Sequence, residues 1–122
     1  MKYEIASGLA LSRQDGKWMI ISGEQLLKLE SSKDFWKIVS LLETPFFEVE
    51  LILGAEFDYS KVILAGLNSE SEYWAGLAVT WLLDINRDVS HEIRSKLIDL
   101  IFRDQLPQQI RDRAKKVIGN IK

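Results

Sequence analysis

The 122-residue chain contains no cysteine, a single histidine and two prolines, and each scarcity removes a class of explanation. Without cysteine there is no disulfide, no thiolate metal site and no thiol nucleophile, a composition that suits a reducing compartment, with the cytoplasm expected. The lone His91 cannot build a multi-histidine metal site, and no H-E-x-x-H or carboxylate-rich loop surrounds it. Its place just before an amphipathic stretch is that of a surface residue at a helix start. Nucleophilic catalysis reduces to pairing His91 with an arbitrary serine, and acids this numerous supply carboxylate pairs by chance. The seven glycines are dispersed and form neither a P-loop nor a G-x-G-x-x-G cradle. The expectation is a non-enzyme, with no catalytic residue, no cofactor and no metal site.

Long apolar runs are also missing. The longest, residues 73–83, has 11 residues including Thr80, against about 20 for a bilayer crossing. The weaker run 5–11 follows Glu4 and carries Ser7 and Gly8, unlike a secretory leader. Neither a membrane span nor a signal peptide is expected.

What remains is a chain of ordinary composition, 47% hydrophobic, long enough to bury a core as one domain over residues 1–122. Trp74, Leu77, Ala78, Trp81, Leu82 and Ile85 recur at spacings of three and four and predict a helix over Glu72–Ile85. Ser69 with Glu72 three residues on has the pattern of a capping box. A second helix is predicted over 92–102, capped by Ser90, with Ile93, Leu97, Ile98, Ile101 and Phe102 inward. A third starts at Pro107, presents Ile110, Ala114, Val117 and Ile118, and is closed by Gly119. Further helices are predicted over 32–42 and 60–67.

The segment Phe46–Leu53 reads both ways. Thr44-Pro45 opens a helix, yet Phe47, Val49, Leu51 and Leu53 alternate as in a strand; helix is favoured because its neighbours are helical. Gln14-Asp15-Gly16 makes a turn between 5–11 and 18–21, so residues 1–22 are read as a β-hairpin leading a helical body over 24–122. Trp36, Trp74 and Trp81 are assigned to the core, and Trp18, beside a charged turn, to the surface.

Charge is unevenly spread. Residues 43–72 hold Glu43, Glu48, Glu50, Glu56, Asp58, Glu70 and Glu72 against Lys61 alone, a local sum of −6, while residues 87–122 sum to +4. The acidic segment has two equal readings: a surface that attracts a basic protein, or acids on outward faces near helix starts. The basic stretch carrying Arg111, Arg113, Lys115 and Lys116 raises nucleic-acid binding. Acids are interleaved with it, however, and acid-to-base pairs four residues apart (Glu92 with Lys96, Asp99 with Arg103, Asp112 with Lys116) favour a solvated helix face.

A shift of 36 residues lays Trp74 on Ile110, Ala78 on Ala114, Trp81 on Val117, Leu82 on Ile118 and Ile85 on Ile121. An inner, outer, inner order of helices follows, as in stacked helical hairpins. The stretch from Leu106 to Gly119, with Ile110 and Arg111 ahead of Ala114, resembles the inner helix of HEAT-type repeats. Residues 71–82 are similar in spacing but have Ala75 where that pattern has an arginine. The resemblance covers about the last 65 residues and implies a mainly α fold of HEAT-like stacked hairpins.

The Ser71-Glu72-Tyr73-Trp74-Ala75 opening and its Ala78 also resemble bacterial immunity proteins of contact-dependent growth inhibition and related polymorphic toxin systems. That resemblance implies a chain that binds and neutralises a cognate toxin domain, a basic nuclease being the expected type, by occluding its active site. Glu48, Glu50, Glu56, Asp58, Glu70 and Glu72 are then the candidate toxin-binding face. A helical-repeat adaptor or scaffold is the second reading, and an RNA-binding helical repeat the third.

Overall fold

The structure is a computed structural model that describes residues 2–6, 8–85 and 89–120. It opens with an antiparallel meander of four strands, β1 (Lys2–Ala6), β2 (Leu9–Gln14), β3 (Lys17–Ser22) and β4 (Gln25–Lys28), ordered β1-β2-β3-β4. The hairpin expected over residues 1–22 is therefore half of a larger sheet, and the helical body begins at Ser32 and not at 24. The β2–β3 turn falls on Asp15-Gly16, both with positive φ (53° and 77°), as tight two-residue hairpins of type I′ require. Lys2 and Glu4 alternate with Tyr3 and Ile5 along β1, a two-residue period that marks a half-buried strand. One cross-strand row, Tyr3, Leu11, Ile20 and Leu27, turns toward the helices, with Leu11 and Ile20 fully buried.

Six α-helices follow among the described residues: α1 (Ser32–Lys37), α2 (Phe46–Leu53), α3 (Tyr59–Asn68), α4 (Glu72–Ile85), α5 (His91–Ile101) and α6 (Gln108–Asn120). The single helix expected over 32–42 breaks at Ile38 and continues as a 3-10 turn, Val39–Glu43. The reason lies in Leu41, which is off the α-helical stripe of Phe35, Ile38, Val39 and Leu42. At three residues per turn the Leu41 N–H bonds to the Ile38 carbonyl (3.0 Å), and all five side chains become buried.

Helix α3 packs on α4 and α5 on α6, while α4 lies on α6 and α3 on α5. Three of the pairs related by the 36-residue shift match in burial, whereas Leu82 is buried and Ile118 only half-buried. Ala78 and Ala114 are both fully buried, Trp81 and Val117 are buried, and Trp74 and Ile110 are half-buried. Ile121, paired with Ile85 in that register, lies outside the described residues.

Several boundaries and faces differ from expectation. Helix α4 is capped by Ser71, whose hydroxyl accepts from the Trp74 N–H (3.4 Å). The Ser69 hydroxyl instead turns back to the Gly66 carbonyl (2.7 Å) and closes α3. Helix α5 buries the narrow stripe Ile93, Leu97 and Leu100 and ends at Ile101. That leaves Ile98 beside the stripe and Phe102 beyond the last turn, both exposed. Helix α6 runs through Gly119 to Asn120. Trp81 is buried as expected and Trp74 half-buried. Trp36, expected in the core, is 46% exposed because α1 turns Phe35 inward and its neighbour outward. Trp18, expected at the surface, is half-buried against Phe57.

Gly66 sets the distance between α3 and α4. A Cβ there would meet Leu42 Cδ1 at 2.7 Å, the Trp74 carbonyl oxygen at 3.0 Å and Ala78 Cβ at 3.1 Å. Gly66→Ala is expected to lower stability by about 1–3 kcal/mol through overpacking, despite alanine's better helix propensity. Gly119→Ala, in a helix with nothing within 4 Å of the added carbon, is expected to raise stability by about 0.5–1 kcal/mol. Urea unfolding midpoints of the two variants should move in opposite directions, and a shift of the same sign in both would contradict this packing.

Candidate functional site

The six acids singled out in the sequence occupy three places. Glu48 and Glu50 are on α2, Glu56 and Asp58 are in the link 54–58, and Glu70 and Glu72 are at the corner between α3 and α4. Asp58 and Glu70 stand at opposite ends of α3, which separates them by about 15 Å at 1.5 Å per residue. Two of the six are neutralised locally. Glu56 accepts from Arg13 Nη2 on β2 (3.0 Å), and Asp58 lies 3.7 Å from Lys61 Nζ. Glu48, Glu70 and Glu72 are exposed and, among the described residues, make no ion pair. Glu43, at the end of the 3-10 turn, accepts the Tyr73 hydroxyl at 2.5 Å. That hydrogen bond, helped by desolvation and the adjacent negative charge, holds the phenol above its ordinary value of 10.0.

Helix α2 contributes what sequence reasoning missed. Its buried side is Phe46, Val49 and Leu53, and Phe46 meets Trp81 of α4 edge-on (5.4 Å between centroids). Its outer side is also apolar: Leu51 is 87% exposed, Phe47 59% and Ile52 49%, with Glu48 among them. A helix apolar on both sides has no clean period, which is why this segment reads equally as a strand. The ambiguity itself was the available signal.

A concave region lies between α1 and α3 and reaches the start of α5. It is an open groove of about 1200 Å³ with Trp36, Leu64 and Ala65 as its apolar part and Lys33, Glu70 and Glu92 among its rim residues. One wall is held by a capping box: the Asp34 carboxylate accepts the backbone N–H groups of Ser31 (2.8 Å) and Glu30 (3.1 Å), while Ser31 caps Asp34 in return.

His91 is exposed at the first turn of α5. On α6, Arg111 is tied to Gln108 Oε1 (2.7 Å), and Gln108 Nε2 donates to Asp112 (2.7 Å), while Arg113, Lys115 and Lys116 are exposed. The pairs expected between Glu92 and Lys96, Asp99 and Arg103, and Asp112 and Lys116 do not close to ion-pair distance; Asp112 is engaged by the Gln108 amide instead. No helix among the described residues is long and apolar enough to cross a membrane. Neither family models, nor curated proteins, nor solved structures match this chain.

The backbone hydrogen bonds from Ser31 and Glu30 lower the Asp34 carboxyl below its ordinary value of 3.8. A depressed acid stabilises the fold above its unfolded value and loses that contribution as pH falls through the folded one. Asp34→Asn should therefore flatten the loss of stability below about pH 4, and Ser31→Ala should cost about 1 kcal/mol at neutral pH. Denaturation midpoints measured between pH 2 and 7 check both, and parallel acid limbs in wild type and Asp34→Asn would refute the assignment.

Proposed function

We propose that this chain is a binding domain of the immunity type, which captures a basic protein partner and neutralises it by occlusion without catalysis. The observation that carries this reading is the outward placement of Glu48, Glu70 and Glu72, none of which makes an ion pair among the described residues. Acids left unpaired on a surface create a field that attracts a basic partner and steers its encounter. The occupant favoured is a toxin domain of nuclease type, whose own substrate-binding surface must be positive to hold a phosphate backbone. A protein covering that surface with carboxylates competes directly with the nucleic acid. The site of action is the cytoplasm, where such a substrate lies.

The paired layers α3 with α5 and α4 with α6, and the equal burial of Ala78 and Ala114, favour a HEAT-like stack of two helical hairpins behind this surface. Such a stack spends its buried stripes on packing and leaves its outside for recognition. The groove beside the exposed Trp36 is the observation that favours the second reading, an adaptor that holds a partner segment.

Where a neighbouring gene encodes a toxin domain, co-expression with that domain should rescue growth. The triple charge reversal Glu48→Lys, Glu70→Lys, Glu72→Lys is expected to abolish rescue while leaving the far-ultraviolet spectrum unchanged. Reversal of Arg113, Lys115 and Lys116 to Glu should leave rescue intact. Full rescue by the acidic-segment variant would remove this reading, and salt-sensitive binding of a single-stranded RNA, lost when the α6 bases are neutralised, would install the nucleic-acid one.

A further inference from the structure

We infer that the outer face of α2 is a docking ridge for an amphipathic helix whose apolar stripe is flanked by lysine or arginine. This deepens the reading of a basic partner and rests on it for the sign of the partner's charge.

Phe47 and Leu51 stand one turn apart and form an i to i+4 ridge, the element that seats between the ridges of a second helix. Leu51 is 87% exposed, Phe47 59% and Ile52 49%, so three large apolar side chains on eight residues of helix meet water. On the opposite side Phe46, Val49 and Leu53 are anchored in the core, and Phe46 is wedged against Phe47, Tyr59 and Trp81. The ridge is therefore held on a rigid base, which limits what a partner loses in ordering it.

Charge selects the occupant. Residues 38–57 contain no lysine or arginine, and Glu43, Glu48, Glu50 and Glu56 are their only charges. Helix α4, on which α2 lies, carries only Glu72 and Asp84. Arg13 of β2 meets Glu56 and lies over the Trp18 ring. A second copy of the chain is disfavoured, because a two-fold contact through the ridge would bring Glu48 against Glu48, with further acids around it. An anionic membrane surface is repelled for the same reason. A helix with Leu-type anchors and basic flanks satisfies both the apolar ridge and the exposed Glu48 within it.

The test uses the whole chain and three fluorescently labelled helical peptides: leucine with lysine, leucine with glutamate, and serine with lysine. The leucine–lysine peptide should bind, with affinity falling by roughly tenfold or more in the Phe47→Ser, Leu51→Ser double variant, the scale of a hot-spot truncation. Trp36→Ser, in the groove, should leave it unchanged. The other two peptides should bind at least tenfold more weakly, one lacking charge complementarity and the other lacking anchors. Equal binding of the leucine–lysine peptide by wild type and double variant would overturn the proposal. So would equal binding of the serine–lysine peptide, a sedimenting dimer dissolved by Leu51→Ser, or retention on phosphatidylglycerol vesicles lost in that variant. Both substituted positions are exposed, and an unchanged urea midpoint verifies that each variant is folded. Because no toxin is used, failure here is distinct from failure of the rescue experiment.

Discussion

A continuous line of aromatic side chains ties the sheet to the helices, and the rest of the molecule is arranged around it. Trp18 of β3 meets Phe57 edge-on at 5.1 Å, Phe57 meets Tyr59 at 5.1 Å, Tyr59 meets Phe46 at 5.1 Å, and Phe46 meets Trp81 at 5.4 Å. Aromatic pairs at these separations add to simple area burial. Two polar anchors fix the line in place. The Tyr59 hydroxyl donates to the Gly54 carbonyl at 2.5 Å, and the Trp81 indole N–H donates to the Thr44 carbonyl at 3.0 Å. Both acceptors belong to the irregular segments that flank α2, so the bonds that satisfy these polar atoms also tie the start of α2 to α4 through Trp81 and its end to α3 through Tyr59.

That arrangement explains how a short helix sustains an outward apolar face. Eight residues of isolated helix would not persist in water, yet α2 is bracketed by Thr44 and Gly54, each bonded to an aromatic residue of the core. Its inner side is fully used in this packing. Nothing in the packing constrains the outer side, and that side is where Phe47, Leu51 and Ile52 meet Glu48. The placement of charge follows the same logic. Arg13 crosses from the sheet to Glu56 at the start of the aromatic link, and Lys61 serves Asp58 beside it. Arg13 and Lys61 are thus engaged near Phe57, whereas Glu48 on α2 and Glu70 and Glu72 at the α3–α4 corner are exposed and make no ion pair among the described residues. Exposed pairs of this kind add little stability, so their effect is on the pattern of surface charge.

The helical half was legible wherever a helix had one apolar side and one polar side. For α4, α5 and α6 the spacing of Ala78 and Trp81, of Ile93 and Leu97, and of Ala114 and Val117 named residues of the buried stripe, because a stripe must face a neighbour. Legibility failed where that condition failed. Strand β4 has four residues with adjacent leucines, Leu26 outward and Leu27 inward, and carries too little alternation to register. Ile38 to Leu42 is apolar at nearly every position, so its period did not reveal a change from α to 3-10 winding. Of the candidate site, the acids were legible as a local excess, whereas the ridge beside them was not.

By itself the amino-acid order determined that this is a mainly helical chain without thiol chemistry, with its acids concentrated ahead of α4 and its bases after it. Those properties are local, set by residue type and by spacings within one or two turns. Only the tertiary structure decided which of two apolar sides of α2 is covered, that Trp36 and Phe102 face out while Trp18 is half-covered, and that Glu56 is neutralised by a residue 43 positions away. Periodicity states that a side chain belongs to a stripe, but burial is a relation between that stripe and a surface elsewhere in the chain, and it exists only once the elements have packed.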